Sequence, residues 1–271
     1  MIIQLYSLGK EKCNMFGKKL LKKVVAIFLG LGFLSAFRTS AFNDIAHKYI
    51  TRSSYDAFVC MEDNGANSKN SPDVTGVSEF FKNDEEDYKE LLVKYSVQPD
   101  IDETQGMYKY HFYNPVTETN FMNEKESALV RFKKHFENAV TFYREGNKSE
   151  AYQELGRAVH FMEDMNAPVH TAYEVPSDSV SKLRLHVEFE KVCDAVCEDC
   201  KLELIPESLK YYEVNSLDGI ARSAATLSAD NFYYLEKRKE SKEKISKQAI
   251  SNAQKKVSGI LYRFSKEAVK Q

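Results

Sequence analysis

One short stretch constrains this chain more than any other. His160 and Asp164 stand four residues apart, His170 follows six residues later, just past Pro168, and His186 and Glu190 repeat the four-residue spacing. Residues four apart on an α-helix leave the same face one turn apart. Apolar residues recur at helical spacing through Met165, and Pro168 ends that helix and lets the chain turn back toward the same face. A lone histidine is usually a satisfied core residue, and one histidine–carboxylate pair is a common salt bridge. His-x3-Asp-x5-His, however, arises by chance in roughly one chain in 150 of this composition. Neutral imidazoles and carboxylates at this spacing on neighbouring helices are what a bundle needs to hold several metal ions between them.

The rest of the chain supplies such a bundle. Glycine and proline number only 11 and 6 in 271 residues, which argues against a turn-rich β-sandwich. With 43% hydrophobic and 29% charged residues, the chain is neither a multi-span membrane protein nor a disordered one. Leu129, Phe132, Phe136, Val140 and Tyr143 form a helical stripe ending at Gly146, and a second helix runs from Ser149 through Met165. Further helices are expected near 43–57, 78–95, 180–196, 216–237 and 243–268, with no clear strand. Segments 60–77 and 97–122 hold three of the six prolines and read as long surface loops. The fold class expected is all-α, a single helical-bundle domain over 42–271 with long metal-binding loops. The Lys/Glu-rich stretch from Glu236 to Lys247 reads as a solvated helix face, and His135, beside two lysines, as structural or exposed.

Residues 1–41 differ in kind. Six lysines precede an apolar run from Val24 to Phe37, too short to span a bilayer comfortably, and Thr39-Ser40-Ala41 has small residues where a signal peptidase cuts. This predicts a signal peptide over 1–41, cleavage after Ala41, and export to a secreted or periplasmic location, with Met15 as an alternative start. Removing it takes away seven of 38 basic and one of 40 acidic residues, leaving a mature chain of net charge −8. That balance argues against a polyanion-binding protein working through a basic face, unless bound cations reverse the local sign. Export also leads us to expect disulfides among Cys60, Cys193, Cys197 and Cys200, in preference to a zinc ribbon, which would need a second Cys pair. No G-x-S-x-G supports a serine nucleophile.

The run from Leu155 to His170 (LGRAVHFMEDMNAPVH), followed by His186-Val187-Glu188-Phe189-Glu190, resembles the core of the bacterial zinc-dependent phospholipases C, which include the catalytic domain of alpha-toxins and are related to the single-strand-specific zinc nucleases. His111-Phe112-Tyr113-Asn114-Pro115 is similar to that family's His-Phe-Tyr-Asp-Pro motif, Pro99-Asp100 falls where its upstream metal-binding Asp is expected, and Ala253 to Tyr262 is similar to its C-terminal helix. The resemblance implies an all-helical zinc enzyme with three ions. One would take Asp100, His111, His160 and Asp164, and a second His170, His186 and Glu190. The third would take the free amino group and carbonyl of Phe42, His47 and the shared Asp164. Asp100 would also act on the attacking water, and Tyr108 would be a choline-facing aromatic.

Several positions depart from the family pattern. Phe42 replaces a Trp, Ala167 a common Gln, and Ile101 an aromatic. His47 lies five residues after Phe42, as in the related nucleases. Glu163 stands where Gly is usual, as a further ligand or a solvent-facing carboxylate. The resemblance thus implies a monomeric phospholipase C acting on phosphatidylcholine-like lipids at a membrane surface. A single-strand nuclease or nucleotidase, with nucleic acid as substrate, and a non-catalytic zinc-stabilised binding protein are the alternatives.

Overall fold

The computed structural model describes residues 42–59, 74–82, 86–103, 107–172, 180–235 and 241–270. The signal segment 1–41, Cys60 and the first part of the expected 60–77 loop lie outside them. The described helices are α1 (Asp44–Val59), α2 (Val74–Lys82), α3 (Glu86–Tyr95), α4 (Gln98–Asp102), α5 (Ala128–Arg144), α6 (Lys148–Asp164), α7 (Pro168–Thr171), α8 (Val180–Val196), α9 (Lys210–Val214), α10 (Leu217–Tyr233) and α11 (Lys242–Ala268). Among the described residues there is no strand, only an isolated antiparallel bridge between Asn114 and Thr119. The all-α expectation holds, and none of these helices is long and apolar enough to cross a membrane.

The α5–α6 hairpin organises the rest. Leu129, Phe132, Phe136 and Val140 bury the stripe read from the sequence. Gly146 then takes φ +84°, a left-handed conformation that suits glycine, while the N–H groups of Asn147 and Gly146 bond back to Phe142 and Tyr143 carbonyls. This reversal lays α6 against α5. Unlike its partner, α6 is buried on every side from Ala158 to Asp164, because α3, α1 and α11 also pack on it. Gly156 permits the close approach of α3: a Cβ there would stand 2.7 Å from the Leu92 carbonyl and from Tyr95 Cβ. The long α11 runs against α1, α6 and α8, and α10 covers α7.

Two expectations are corrected here. The 97–122 segment is not simply a surface loop. It contains α4 and a 3-10 turn (Met107–His111), and His111, Phe112 and Tyr113 are buried. The Tyr113 N–H donates to the His170 carbonyl at 3.0 Å, and the Ala128 N–H to the Phe112 carbonyl at 3.2 Å, so the aromatic stretch is pulled inward. Proline and polar residues correctly excluded a long helix but carried no information about depth. The cysteines are the second correction. Cys193, Cys197 and Cys200 are buried free thiols, and no disulfide joins any two of these three. They fill core space at the end of α8, where the thiols of Cys197 and Cys200 donate to the carbonyls of Asp194 and Val196, and burial pushes all three thiols up in pKa.

Candidate metal centre

Asp164 ends α6 at the middle of the bundle, fully buried. Around it stand side chains from five segments. Its Oδ2 lies 2.9 Å from His111 Nδ1 and 3.2 Å from His160 Nε2, and those two nitrogens are 3.0 Å apart. Asp100, on α4, approaches the same pair, with Oδ1 3.5 Å from His111 Nδ1 and 3.7 Å from His160 Nε2. On the other side of Asp164, His47 Nε2 comes to 3.8 Å from Oδ1 and 4.0 Å from Asp100 Oδ2. The second cluster joins α7 to α8: His170 Nε2 is 3.1 Å from His186 Nε2, which is 2.7 Å from Glu190 Oε1. His170 Nδ1, 3.9 Å from Asp164 Oδ1, links the two clusters.

Three groups emerge in which one donor atom per residue converges: His47 with Asp100 and His160, His111 with His160 and Asp164, and His170 with His186 and Glu190. All eight side chains proposed as ligands from the sequence therefore meet at one centre. His160 serves two of the groups, whereas the family pattern gives the shared place to Asp164. Phe42 packs beside the centre, its ring edge-on to His47 at 5.6 Å and tilted against Phe189 at 6.3 Å.

The backbone orients these imidazoles. A carbonyl can only accept, so the Nδ1–H of His160 donates to Ser96 (2.8 Å) and that of His170 to His111 (2.9 Å), which turns both Nε2 atoms inward. Nε2 of His170 then carries a lone pair 3.1 Å from His186 Nε2, able to accept from that ring or to bind a cation. Buried atoms without a hydrogen-bond partner point the same way, namely His47 Nε2 and Asp164 Oδ1. Zinc–nitrogen bonds of 2.0–2.1 Å in a tetrahedral shell put neighbouring ligand atoms about 3.4 Å apart. The observed separations bracket that value, so the residues fit the metal.

Charge balance agrees. Burial lowers His160, but Asp164 and Asp100 outweigh it and raise this imidazole to about 10, so the cluster binds a positive charge strongly. Burial opposes ionisation of Asp164, yet His160 and His111 hold it well below the usual carboxylate range. Burial keeps His47 and His170 low and therefore neutral, the state in which imidazole ligates. Glu190 is raised, chiefly by burial.

Sequence reasoning missed several participants. Glu163 neither faces solvent nor joins a converging group; it is fully buried against His47 and Thr51. Glu103, three residues after Asp100, brings Oε2 to 3.7 Å from His111 Nε2 and Oε1 to 3.6 Å from Arg131, and its helical spacing from Asp100 was the signal that could have found it. Near His111, Tyr108 stacks on Phe121 (5.6 Å), Phe121 meets Phe112 (4.8 Å) and Phe112 stacks on His170 (4.2 Å). Tyr113 instead turns into the core. Phe112, Phe121 and Val169, together with the amide residues Asn114, Asn120 and Asn123, line a small cleft that reaches His170. His135 is structural, paired with Glu154 at 2.9 Å and lying over Phe161.

The sequence profile of the family described as "Zinc dependent phospholipase C" matches residues 69–259. A phospholipase C of Clostridium perfringens is 27% identical over 192 residues, covering 62% of this chain and 47% of its own length. One of Clostridium haemolyticum is 26% identical over 215 residues, covering 70% and 52%. The chain thus spans about half the length of these relatives. In three dimensions it is similar to the alpha toxin from Clostridium absonum, with a TM-score of 0.67 at 21% identity, over 85% of this chain and 67% of the toxin.

Proposed function

The chain belongs to the zinc-dependent phospholipase C family, and from that premise we propose that it hydrolyses phosphatidylcholine-like phospholipids, releasing a phosphorylated head group and diacylglycerol. The observation that carries this reading is the convergence of His111, His160 and Asp164, and of His170, His186 and Glu190, on two adjacent points linked through Asp164. Asp100, His111, His160 and Asp164 would hold one zinc, and His170, His186 and Glu190 a second. His47, Asp164 and the terminal amine and carbonyl of Phe42 would hold a third. Zinc bound there supplies polarisation of the phosphoryl oxygens, a lowered pKa for water and charge stabilisation for the departing alkoxide.

The chain's own groups do the rest. Asp100 accepts the proton of the attacking water, whose oxygen bonds to phosphorus as the bond from phosphorus to the glycerol oxygen breaks; diacylglycerol leaves with a proton. The cleft beside His170 combines apolar and amide groups, which suits a phosphodiester carrying an apolar tail. In this reading the protein is exported as a monomer and works at the membrane surface. Cleavage after Ala41 would create the Phe42 amine and complete the third position in the same step.

The test is an assay on short-chain phosphatidylcholine alongside single-stranded DNA and RNA, with zinc content and the mature N-terminus determined on the same preparation. Release of phosphocholine that is lost on chelation and restored by zinc is the expected result. Rapid nucleic-acid cleavage without lipid turnover would replace this reading with the nuclease one.

A further inference from the structure

Glu163 is as deeply buried as Asp164 yet belongs to none of the three converging groups. A carboxylate removed from water is costly unless its oxygens are satisfied. Both of these are. Oε2 meets His47 Nδ1 in a very short contact, and Oε1 accepts from Thr51 Oγ1 at 2.7 Å. His47 and Thr51 lie four residues apart on one face of α1, so a single carboxylate on α6 is gripped by two residues one helical turn apart. Holding two helices together does not need this, since apolar residues of similar volume do it at least as well.

The other edge of His47 explains the arrangement. Its Nε2 has no hydrogen-bond partner and faces Asp164 Oδ1 and Asp100 Oδ2, while the ring stacks on His160 at 4.4 Å. We infer that Glu163 is a positioning residue for His47. By accepting the Nδ1–H it fixes the ring with Nε2 aimed between Asp100 and Asp164, and so sets the affinity of a zinc position there. Thr51 in turn holds the carboxylate. A carboxylate on the far nitrogen of a ligating imidazole locks its orientation and strengthens its donor nitrogen. The inference rests on the zinc-enzyme reading above and adds to it a residue that reaches no substrate or metal itself.

Zinc alone is the probe, titrated into the metal-free mature chain, cleaved after Ala41 so that Phe42 carries a free amine, against a competing indicator, with stoichiometry from metal analysis and folding checked by circular dichroism. Glu163→Met keeps the volume but offers no acceptor. It is expected to weaken one zinc equivalent by about 10- to 100-fold and leave the others unchanged. Glu163→Gln keeps an acceptor without the charge and should weaken the same equivalent by about threefold to tenfold. A space-filling role predicts full zinc affinity in the Met variant, and a role as direct ligand predicts equal losses in Met and Gln; either result overturns the inference. Thr51→Val should weaken that equivalent a few-fold. If Glu163→Met fails to fold, unchanged binding in both Thr51→Val and Glu163→Gln overturns it. Wild-type protein that takes up no zinc would overturn the enzyme reading as well, whereas a normally loaded wild type with an equally loaded Met variant removes only the role of Glu163.

Discussion

The α5–α6 hairpin carries two histidine–carboxylate arrangements of opposite kinds. Midway along it, His135 on α5 meets Glu154 on α6 at 2.9 Å, and Asn138 adds a second donor to the same oxygen at 2.8 Å. One carboxylate faces donors that satisfy it, and both side chains keep some exposure. Ten residues further along α6, Asp164 faces His111, His160 and His47 with no exposure, and neighbouring atoms are left without hydrogen-bond partners. The shortest contact is 2.9 Å in both. What separates a structural pair from a candidate metal centre is therefore convergence: three or more lone-pair donors aimed at one point, deep enough that water cannot compensate them.

Breaking the centre should have the largest effect. Asp164→Asn removes the charge shared between positions, and we expect about a 10³-fold loss of hydrolysis together with reduced zinc content. Near-normal turnover with full zinc would show that Asp164 is an ordinary buried pair after all. Asp100→Asn should cost less, about 10²-fold in rate, while most of the metal stays bound, because its role toward water is separable from its part in ligation. Parallel rate and zinc measurements on the two variants resolve this, and equal metal loss in both would merge the roles.

On the other side of the comparison, His135→Ala should lower stability by about 1 kcal/mol with zinc content unchanged, as read by denaturant unfolding and metal analysis. Zinc loss in that variant would mean the two arrangements are coupled through Phe161. The smallest effect concerns acid. Burial raises Glu154, but the His135 and Asn138 hydrogen bonds outweigh it and leave the group below its ordinary value. A depressed carboxylate contributes stability above its unfolded pKa and loses it as pH falls through the folded value. Glu154→Gln should therefore flatten the decline in stability below about pH 4.5, by no more than about 1 kcal/mol. An unchanged acid limb would show that the pair contributes nothing measurable.

Much of this was legible in advance, for a local reason. The stripe from Leu129 to Val140 and the stop at Gly146 follow helical period and glycine backbone freedom, both written in consecutive residues. The 164–170 turn and the His186–Glu190 pair are likewise short-range. The inward course of residues 111–113 was not legible, because it depends on partners at Ala128 and His170 that no window around the motif contains. The cysteines misled because redox context gives an expectation about chemistry, whereas packing at the end of α8 decides whether sulfurs meet.

Residue order by itself determined that the chain is helical, where its main helices run, and which histidines and carboxylates share a helix face, since each follows from spacing against a fixed 3.6-residue period. The family resemblance had already grouped Asp100 and His111 with Asp164; only the tertiary structure decided how the connecting segment brings Asp100 to 3.5 Å from His111, and that Glu163 reaches α1 rather than water. The physical reason lies in helix geometry. Adjacent positions on α6 point about 100° apart, so Asp164 and Glu163 face different neighbours, and which neighbours those are is set by how the helices pack.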